Sequence, residues 1–539
     1  MKKRRLVSLI LVLAMFLTAC GSKAPSTGDA TGNTTGGTTT NEGTGDTATN
    51  AGEEDKVVNI AISENILTMD PLDWSALPSL SANLMTYDCL IESDHEGNYT
   101  PQLATEWGVA DDGVTWTFKL REGVKFSNGE DFNADDVVAT YNRLLTETSL
   151  AVATTYWPVL KAVEKVDDYT VNIILSEPFG PFEYSVSNTF IIPDQEFAKR
   201  GIQMFAEQDC IGTGPWVLEE WVDGQYTHFV KNENYWGDFK SYYDEVYFRH
   251  MLEPSSAIAS HLSGDIDAYI SAGGISTDML PLYSGSEDKI EQVSIASGTF
   301  QYLGFQCKEG SPFANKEVRK AFSLAIDRES IINNILGGGK VPSGIIVDTG
   351  MGFDSNLAPY EYNVEEAKKV LEASGYNGEP IVLSSNTNTL KAEEILLAVS
   401  DMVNAIGFNT TVEVVEGATL KDMRATGDYD AFMVTNMHPG GDPYSHLTMR
   451  ILNDAHHSNY VNEELSNLVK ASNAETDQAK RAEIIKQANQ MMVDEFGPHI
   501  NLTQLTTVQA VNYGVSGLLL YTDGYFNYRY VTHDPSLVK

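Results

Sequence analysis

The chain has 539 residues, with 36 Lys and Arg against 75 Asp and Glu and a formal net charge of −39 at pH 7. A surface this acidic repels phosphate and lacks the basic stripe that nucleic-acid binding needs, which excludes nucleic acid as a partner. Hydrophobic residues at 42% and aromatics at 10% give a globular composition, and four cysteines without a C-x-x-C pair exclude a disulfide-dense scaffold and a cysteine-rich zinc module.

Lys2, Lys3, Arg4 and Arg5 precede the apolar run Leu6–Leu17, which is too short to span a bilayer and has the size of a signal-peptide core. Leu17-Thr18-Ala19-Cys20, followed by Gly21, resembles the bacterial lipobox, which implies cleavage after residue 19 and lipidation of Cys20. Residues 21–55 hold eight Gly and ten Thr and no Val, Ile, Leu, Met or aromatic residue. Nothing in that segment can bury surface, so it is expected to be a disordered tether with a reach of roughly 30 Å. The expected location is therefore the outer face of the cytoplasmic membrane, lipid-anchored, with the body periplasmic or extracellular. Cys89, Cys210 and Cys307 remain after processing; at most one pair can form, and buried free thiols are expected.

From residue 56 onward, strand and helix patterns alternate. Thr115–Leu120 alternates polar and apolar residues as a half-buried strand does, after a turn at Asp111-Asp112-Gly113. Asn133 with Asp136 predicts the N-cap of a helix carrying Val137, Val138, Tyr141, Leu144 and Leu145. The runs 216–222 and 225–231 flank Asp223-Gly224, a strong short hairpin signal. Asn363 with Glu366 opens a helix through Ala367, Val370 and Leu371 that Gly375 closes. The body is predicted to be a mixed α/β fold without a fixed repeat.

Catalytic patterns are missing: there is no H-E-x-x-H and no G-x-S-x-G. Gly339-Lys340 is followed by Val341 where a phosphate loop needs Ser or Thr, and Gly350-Met351-Gly352 lacks the third glycine of a dinucleotide loop. Four of the ten histidines, His438, His446, His456 and His457, fall within twenty residues, but their spacing matches no compact chelate. No cofactor and no resident metal are expected.

Residues 87–141, from Tyr87-Asp88-Cys89-Leu90 to Ala139-Thr140-Tyr141, resemble the signature region of the family 5 extracellular solute-binding proteins, the receptors of ABC importers for oligopeptides, dipeptides and nickel chelates. Further blocks follow in register: Met69-Asp70-Pro71, Gly212-Thr213-Gly214-Pro215-Trp216, Asn232 to Trp236, Ser263-Gly264-Asp265-Ile266-Asp267, and Val318-Arg319-Lys320-Ala321 through Ala325-Ile326-Asp327-Arg328. The resemblance implies a two-lobed, clam-shell α/β fold with an extra subdomain in lobe 1. Lobe 1 would hold about 56–300 plus the C-terminal return 511–539, and lobe 2 about 301–510, with crossings near Gln301–Phe305 and Thr506–Val511.

The implied function is that of a monomeric, membrane-anchored receptor. It captures a small-molecule ligand, a short peptide, between its lobes and delivers it to a permease with ATPase subunits. The alternatives are a nickel or other metal chelate as ligand or, in a different class, a secreted hydrolase motivated only by the many carboxylates. The family's cleft segment reads Thr435-Asn436-Met437-His438-Pro439-Gly440-Gly441-Asp442-Pro443-Tyr444, and Pro439 stands where peptide receptors carry an amine-binding aspartate. The resemblance makes Trp74, Trp157, Met437, His438, Asp442, Tyr444 and Arg450 the ligand-binding candidates. Trp157 stands at the position of a cleft tryptophan in nickel-type members, and Arg450 is a candidate substitute for their carboxylate-binding arginine, since 150–199 contains no Arg.

Overall fold

Ten strands join in one mixed sheet in the computed structural model, which describes residues 56–94, 98–206, 209–271, 273–346, 348, 350–437, 441–521 and 526–538. The signal segment, Cys20, the tether and His438 lie outside these residues. Across the sheet the strands are Asn409–Val415, Pro380–Asn386, Ala431–Met437, Ile290–Phe305, His499–Asn512, Ala268–Ile270, Val57–Ile62, Glu245–His250, Tyr226–Lys231 and Trp216–Val222. A separate antiparallel sheet of four strands, Ala104–Val109, Thr115–Leu120, Thr170–Leu175 and Leu160–Asp167 in that order, carries the helix Ala134–Thr146 and fits the expected extra subdomain.

The local signals act as the sequence predicts. Asn133 and Asp136 form a complete capping box at the helix Ala134–Thr146. Trp216–Val222 and Tyr226–Lys231 pair antiparallel across the turn at Asp223-Gly224, where Gly224 adopts φ +67°, a conformation that suits glycine. The Asn363 side chain accepts from the Glu366 N–H to start the helix Val364–Ser374, and Gly375 follows it in the left-handed region.

Two large apolar cores sit along the sheet. One is drawn from between Val58 and Ile270 and again from Val511 to Val531; the other runs from Leu303 to Leu502. Ile290–Phe305 and His499–Asn512 link the two, pairing antiparallel from Ile290 opposite Asn512 to Gly304 opposite His499, with an irregularity between Ala296 and Phe300. Side chains on a strand alternate between faces. Leu303 and Phe305 accordingly enter the second core, while Phe300 and Tyr302 join Phe432 and Val434 in a smaller cluster on the opposite face. A Cβ at Gly304 would stand 2.5 Å from the Phe432 ring, so the absence of a side chain there lets that ring pack on the strand.

The family-like blocks prove to be structural brackets. Asp88 is fully buried and accepts from the Thr213 hydroxyl at 2.8 Å, Trp236 Nε1 at 2.8 Å and Gln102 Nε2 at 3.0 Å, while Arg529 pairs with it from the C-terminal return. A Cβ at Gly212 would overlap the Thr86 carbonyl, and one at Gly214 would lie 2.7 Å from the Met85 carbonyl, so both glycines let the 212–216 block press on the chain before Asp88. Asn232 Nδ2 donates to the Gly214 carbonyl at 2.7 Å, fixing the next block against it. Arg143 holds Asp70 through two hydrogen bonds of 2.8 and 2.5 Å. Arg319 donates to the carbonyls of Phe313, Glu495 and Phe496, and Arg328 to those of Ser323 and Asn501. Cys89, Cys210 and Cys307 are free thiols, and burial raises all three.

Candidate functional site

On the face carrying Tyr302, a cavity of about 580 Å³ opens beside the second core. Its floor is Tyr302 and Val434, from two adjacent strands that pair in register. One wall is the segment after the strand Pro380–Asn386, with Asn386, Asn388 and Thr389. That segment is fixed from below by Gln301, whose Nε2 donates to the Leu390 carbonyl at 2.7 Å. Another wall is built by the helix Tyr444–Leu447 and the π-helical turn Thr448–Leu452, which supply Ser445, His446, Met449 and Arg450. A widened turn of this kind is frequent at functional sites. Thr155, from the helix Ala151–Tyr156 of the first core's region, borders the same space.

The electrostatics of the cavity are one-sided. Arg424 and Arg450 line it together with His446 and His456, and among the described residues none that line it is Asp or Glu. Arg450 is 4% exposed, with its guanidinium 4.4 Å above the Tyr302 ring and 5.6 Å from that of Phe300. Both of its terminal nitrogens lack a hydrogen-bond acceptor among the described residues, as does Arg424 Nε. Burial pushes the Arg450 guanidinium down, partly opposed by Tyr302, with Arg424 adding to the fall. Burial, with Arg424 and Arg450 acting in the same direction, holds the His456 imidazole down at about 4. His499, fully buried under Tyr302, is driven well below its ordinary value by burial first and Arg450 second. Both imidazoles are therefore neutral at pH 7.

The structure separates the sequence candidates. Arg450, His446 and His456 reach the cavity, whereas His457 contributes its carbonyl to Gln306 Nε2 at 2.9 Å. Trp157 is placed in the first core, not at the cavity: its Nε1 donates to the Thr189 hydroxyl at 2.8 Å and its ring meets Tyr141 and Phe182 edge-on. Trp74 belongs to that core too, beside Tyr156. Asp442, 2% exposed, gives both oxygens to Arg481, at 2.5 and 2.8 Å, and accepts from the Tyr444 N–H, so its carboxylate serves the fold. Tyr444 packs edge-on against Phe179, a contact between a residue of the Asp-Pro segment and the first core. Met437 ends its strand opposite Thr299, and His438 lies outside the described residues.

Sequence reasoning passed over Tyr302, Arg424, Asn386, Asn388, Thr389 and Thr155. Arg424 sits in a polar helix, Gly417–Thr426, with no motif to mark it, and only the fold carries it to Tyr302 and Arg450. Among the described residues no three His, Cys, Asp or Glu side chains are placed to hold a metal ion.

Residues 98–455 match the family model described as bacterial extracellular solute-binding proteins, family 5 Middle. The chain is similar to the probable D,D-dipeptide-binding periplasmic protein DdpA of Escherichia coli K12, with 29% identity over 84% of this chain and 88% of that protein. It is similar also to the oligopeptide-binding protein AppA of Bacillus subtilis 168, with 27% identity over 88% of this chain and 87% of that one. Among solved structures, the ABC transporter substrate-binding protein CtaP from Listeria monocytogenes superposes with a TM-score of 0.78 at 23% identity, covering 90% of this chain and 100% of its own. The unliganded open form of the murein tripeptide-binding protein MppA gives 0.74 at 22% identity, covering 89% and 98%. The shared architecture is the two-lobed α/β fold expected from the sequence, and the chain belongs to the family 5 bacterial extracellular solute-binding proteins.

Proposed function

We propose that the chain is the extracytoplasmic substrate-binding lipoprotein of an ABC importer, working as a monomer that captures small peptides and hands them to a permease with its ATPase subunits. One lobe comprises 56–300 with 511–539 and the other 301–510, the chain passing between them along its two long strands. The observation that carries this reading is the cavity beside Tyr302, walled by the second core's elements and bordered by Thr155 from the first core's region. Its 580 Å³ lies within the usual range of about 300–1,000 Å³ for small-ligand sites. A ligand that touches both lobes binds the closed form better than the open one, and so shifts the population toward closure. The amides of Asn386, Asn388 and Asn436 and the hydroxyls of Thr155, Thr389 and Ser445 suit a peptide backbone, which offers both donors and acceptors. The names of the similar DdpA and AppA, which are dipeptide- and oligopeptide-binding, favour the same cargo.

Native mass spectrometry of the purified chain, followed by denaturation, is expected to release a heterogeneous set of short, unmodified peptides. A single metal-bearing compound would move the reading to the chelate class, and steady turnover of an added peptide would replace the receptor by an enzyme. Lipidation at Cys20 is the other half of the proposal, supported by the lipobox-like Leu17-Thr18-Ala19-Cys20. Cys20→Ser is expected to leave the protein in the soluble fraction, and sedimentation of the variant with membranes would contradict the anchor.

A further inference from the structure

Two lobes that swing about their connecting strands break the contacts made away from those strands when they part. The turn 177–181, between the strand Thr170–Leu175 and the helix Phe182–Ser187, makes such a contact. The Gly180 N–H donates to the Asn473 carbonyl at 2.7 Å, and Gln478 Nε2 donates to the Gly180 carbonyl at 3.0 Å. Asn473 and Gln478 belong to the helices Glu463–Ala474 and Gln478–Glu495, within 301–510, whereas Gly180 lies within 56–300. Beside this contact Phe179 meets Tyr444 edge-on, with ring centroids 5.2 Å apart. A Cβ on Gly180 would stand 2.4 Å from the Glu475 carbonyl oxygen, 2.6 Å from that of Ser472 and 2.8 Å from Arg481 Cδ. All three neighbours come from 301–510, so the missing side chain serves the contact between lobes and not the packing of its own lobe. Gly180 has no positive φ, and alanine is therefore unstrained there once the lobes are apart. A second bridge, from Thr277 Oγ1 to the Leu336 carbonyl at 3.1 Å, differs in kind. Its two segments are tied to the connecting strand His499–Asn512, through Ile275 on Val508 and Lys340 on Gln504, so it belongs to the hinge. Asn473 is held instead by Thr448, to which its Nδ2 donates at 2.9 Å.

We propose that Gly180 is the tongue of a latch, gripped from the other lobe by Asn473 and Gln478, which holds the receptor closed independently of what it carries. The proposal rests on the two-lobed receptor reading above and deepens it by assigning part of the closing free energy to the protein itself. The described residues that line the cavity beside Tyr302 do not include Phe179, Gly180, Asn473 or Gln478. Bonds that no ligand touches favour the closed form over the open one to the same degree for every ligand. A cargo of any sequence then has less of the closure left to stabilise, which suits a receptor for peptides of varied side chains. The seat of the latch is firm: Arg481 Nε donates to the Ser472 carbonyl at 3.0 Å, while Asp442 holds the rest of its guanidinium. Glycine is required at the tongue because backbone there presses on backbone.

The test compares the full-length chain with its Gly180→Ala and Gln478→Ala variants in two measurements. In the first, each protein is loaded with a casein digest and diluted, and the peptides still bound are followed in time by mass spectrometry. Gly180→Ala loses both hydrogen bonds of the latch and is expected to release peptides about tenfold faster or more; Gln478→Ala loses one and should release them about two- to tenfold faster. The second measurement is amide exchange in the segment 177–182 with no digest added. Pro178 and Pro181 carry no N–H, which leaves Gly180 among the few reporters there. Its exchange should be slowed in the wild type and faster by about two- to tenfold in Gln478→Ala, because the latch needs no ligand. Equal release by all three proteins overturns the latch and leaves the receptor reading intact. Binding of the digest by none of them overturns the peptide reading, and exchange then decides the latch alone: an unprotected Gly180 amide in the wild type overturns it. Gly180→Ala should melt within about 2 °C of the wild type. A fall of several degrees would show that Gly180 serves the folding of its own lobe, and would also overturn the proposal.

Discussion

Asp88→Ala is expected to lower the stability of the folded chain by about 3–5 kcal/mol, the usual effect of removing one partner of a buried ion pair. The physical cause is the stranded Arg529, fully buried and facing no other carboxylate at hydrogen-bond distance among the described residues. Three further donors lose their acceptor at the same time: the Thr213 hydroxyl, Trp236 Nε1 and Gln102 Nε2. Asp88→Asn keeps an acceptor oxygen for some of these donors and should cost less, though it still removes the charge. Thermal melting with circular dichroism orders the three proteins, wild type first and alanine last. An alanine variant that melts with the wild type would refute the idea that the family's blocks converge on this carboxylate.

Asp442→Ala should be destabilising to a similar degree, about 3–5 kcal/mol, because Arg481 is then buried without a counter-charge. The residue distinguishes two roles for the Asp-Pro segment. If its carboxylate serves the fold, replacing the pair together by Asp442→Leu and Arg481→Met should recover most of the stability, since apolar side chains of similar volume often substitute for a buried pair at little cost. The double variant should also keep peptide retention close to that of the wild type. A stable double variant that has lost all retention would return Asp442 to the ligand.

Much of the fold was legible because its signals are local. The capping box at Asn133, the Asp223-Gly224 hairpin and the Gly375 stop are read over a few residues, and each forms as predicted. The family blocks were legible as a pattern, but their purpose was not, because Thr213, Trp236 and Arg529 meet Asp88 only after folding across 125, 148 and 441 residues. Of the residues singled out in the sequence, Arg450 lines the cavity, and so do His446 and His456 of the histidine cluster. The family pattern was misleading at Trp157: an aromatic side chain is equally suited to a cleft and to a core, and the Thr189 hydroxyl gives its N–H a buried partner. Arg424 carried no signal, because a single arginine in a polar helix reads as solvated surface.

The pairing of Asp88 with Arg529, 441 positions apart, has a consequence for how the chain is made. The first core takes residues from both ends of the body, so it stays incomplete while the middle of the chain is synthesised, and closing so long a loop adds to the entropic barrier. The most stable arrangement of the body therefore becomes available only after residues 511–531 have been made.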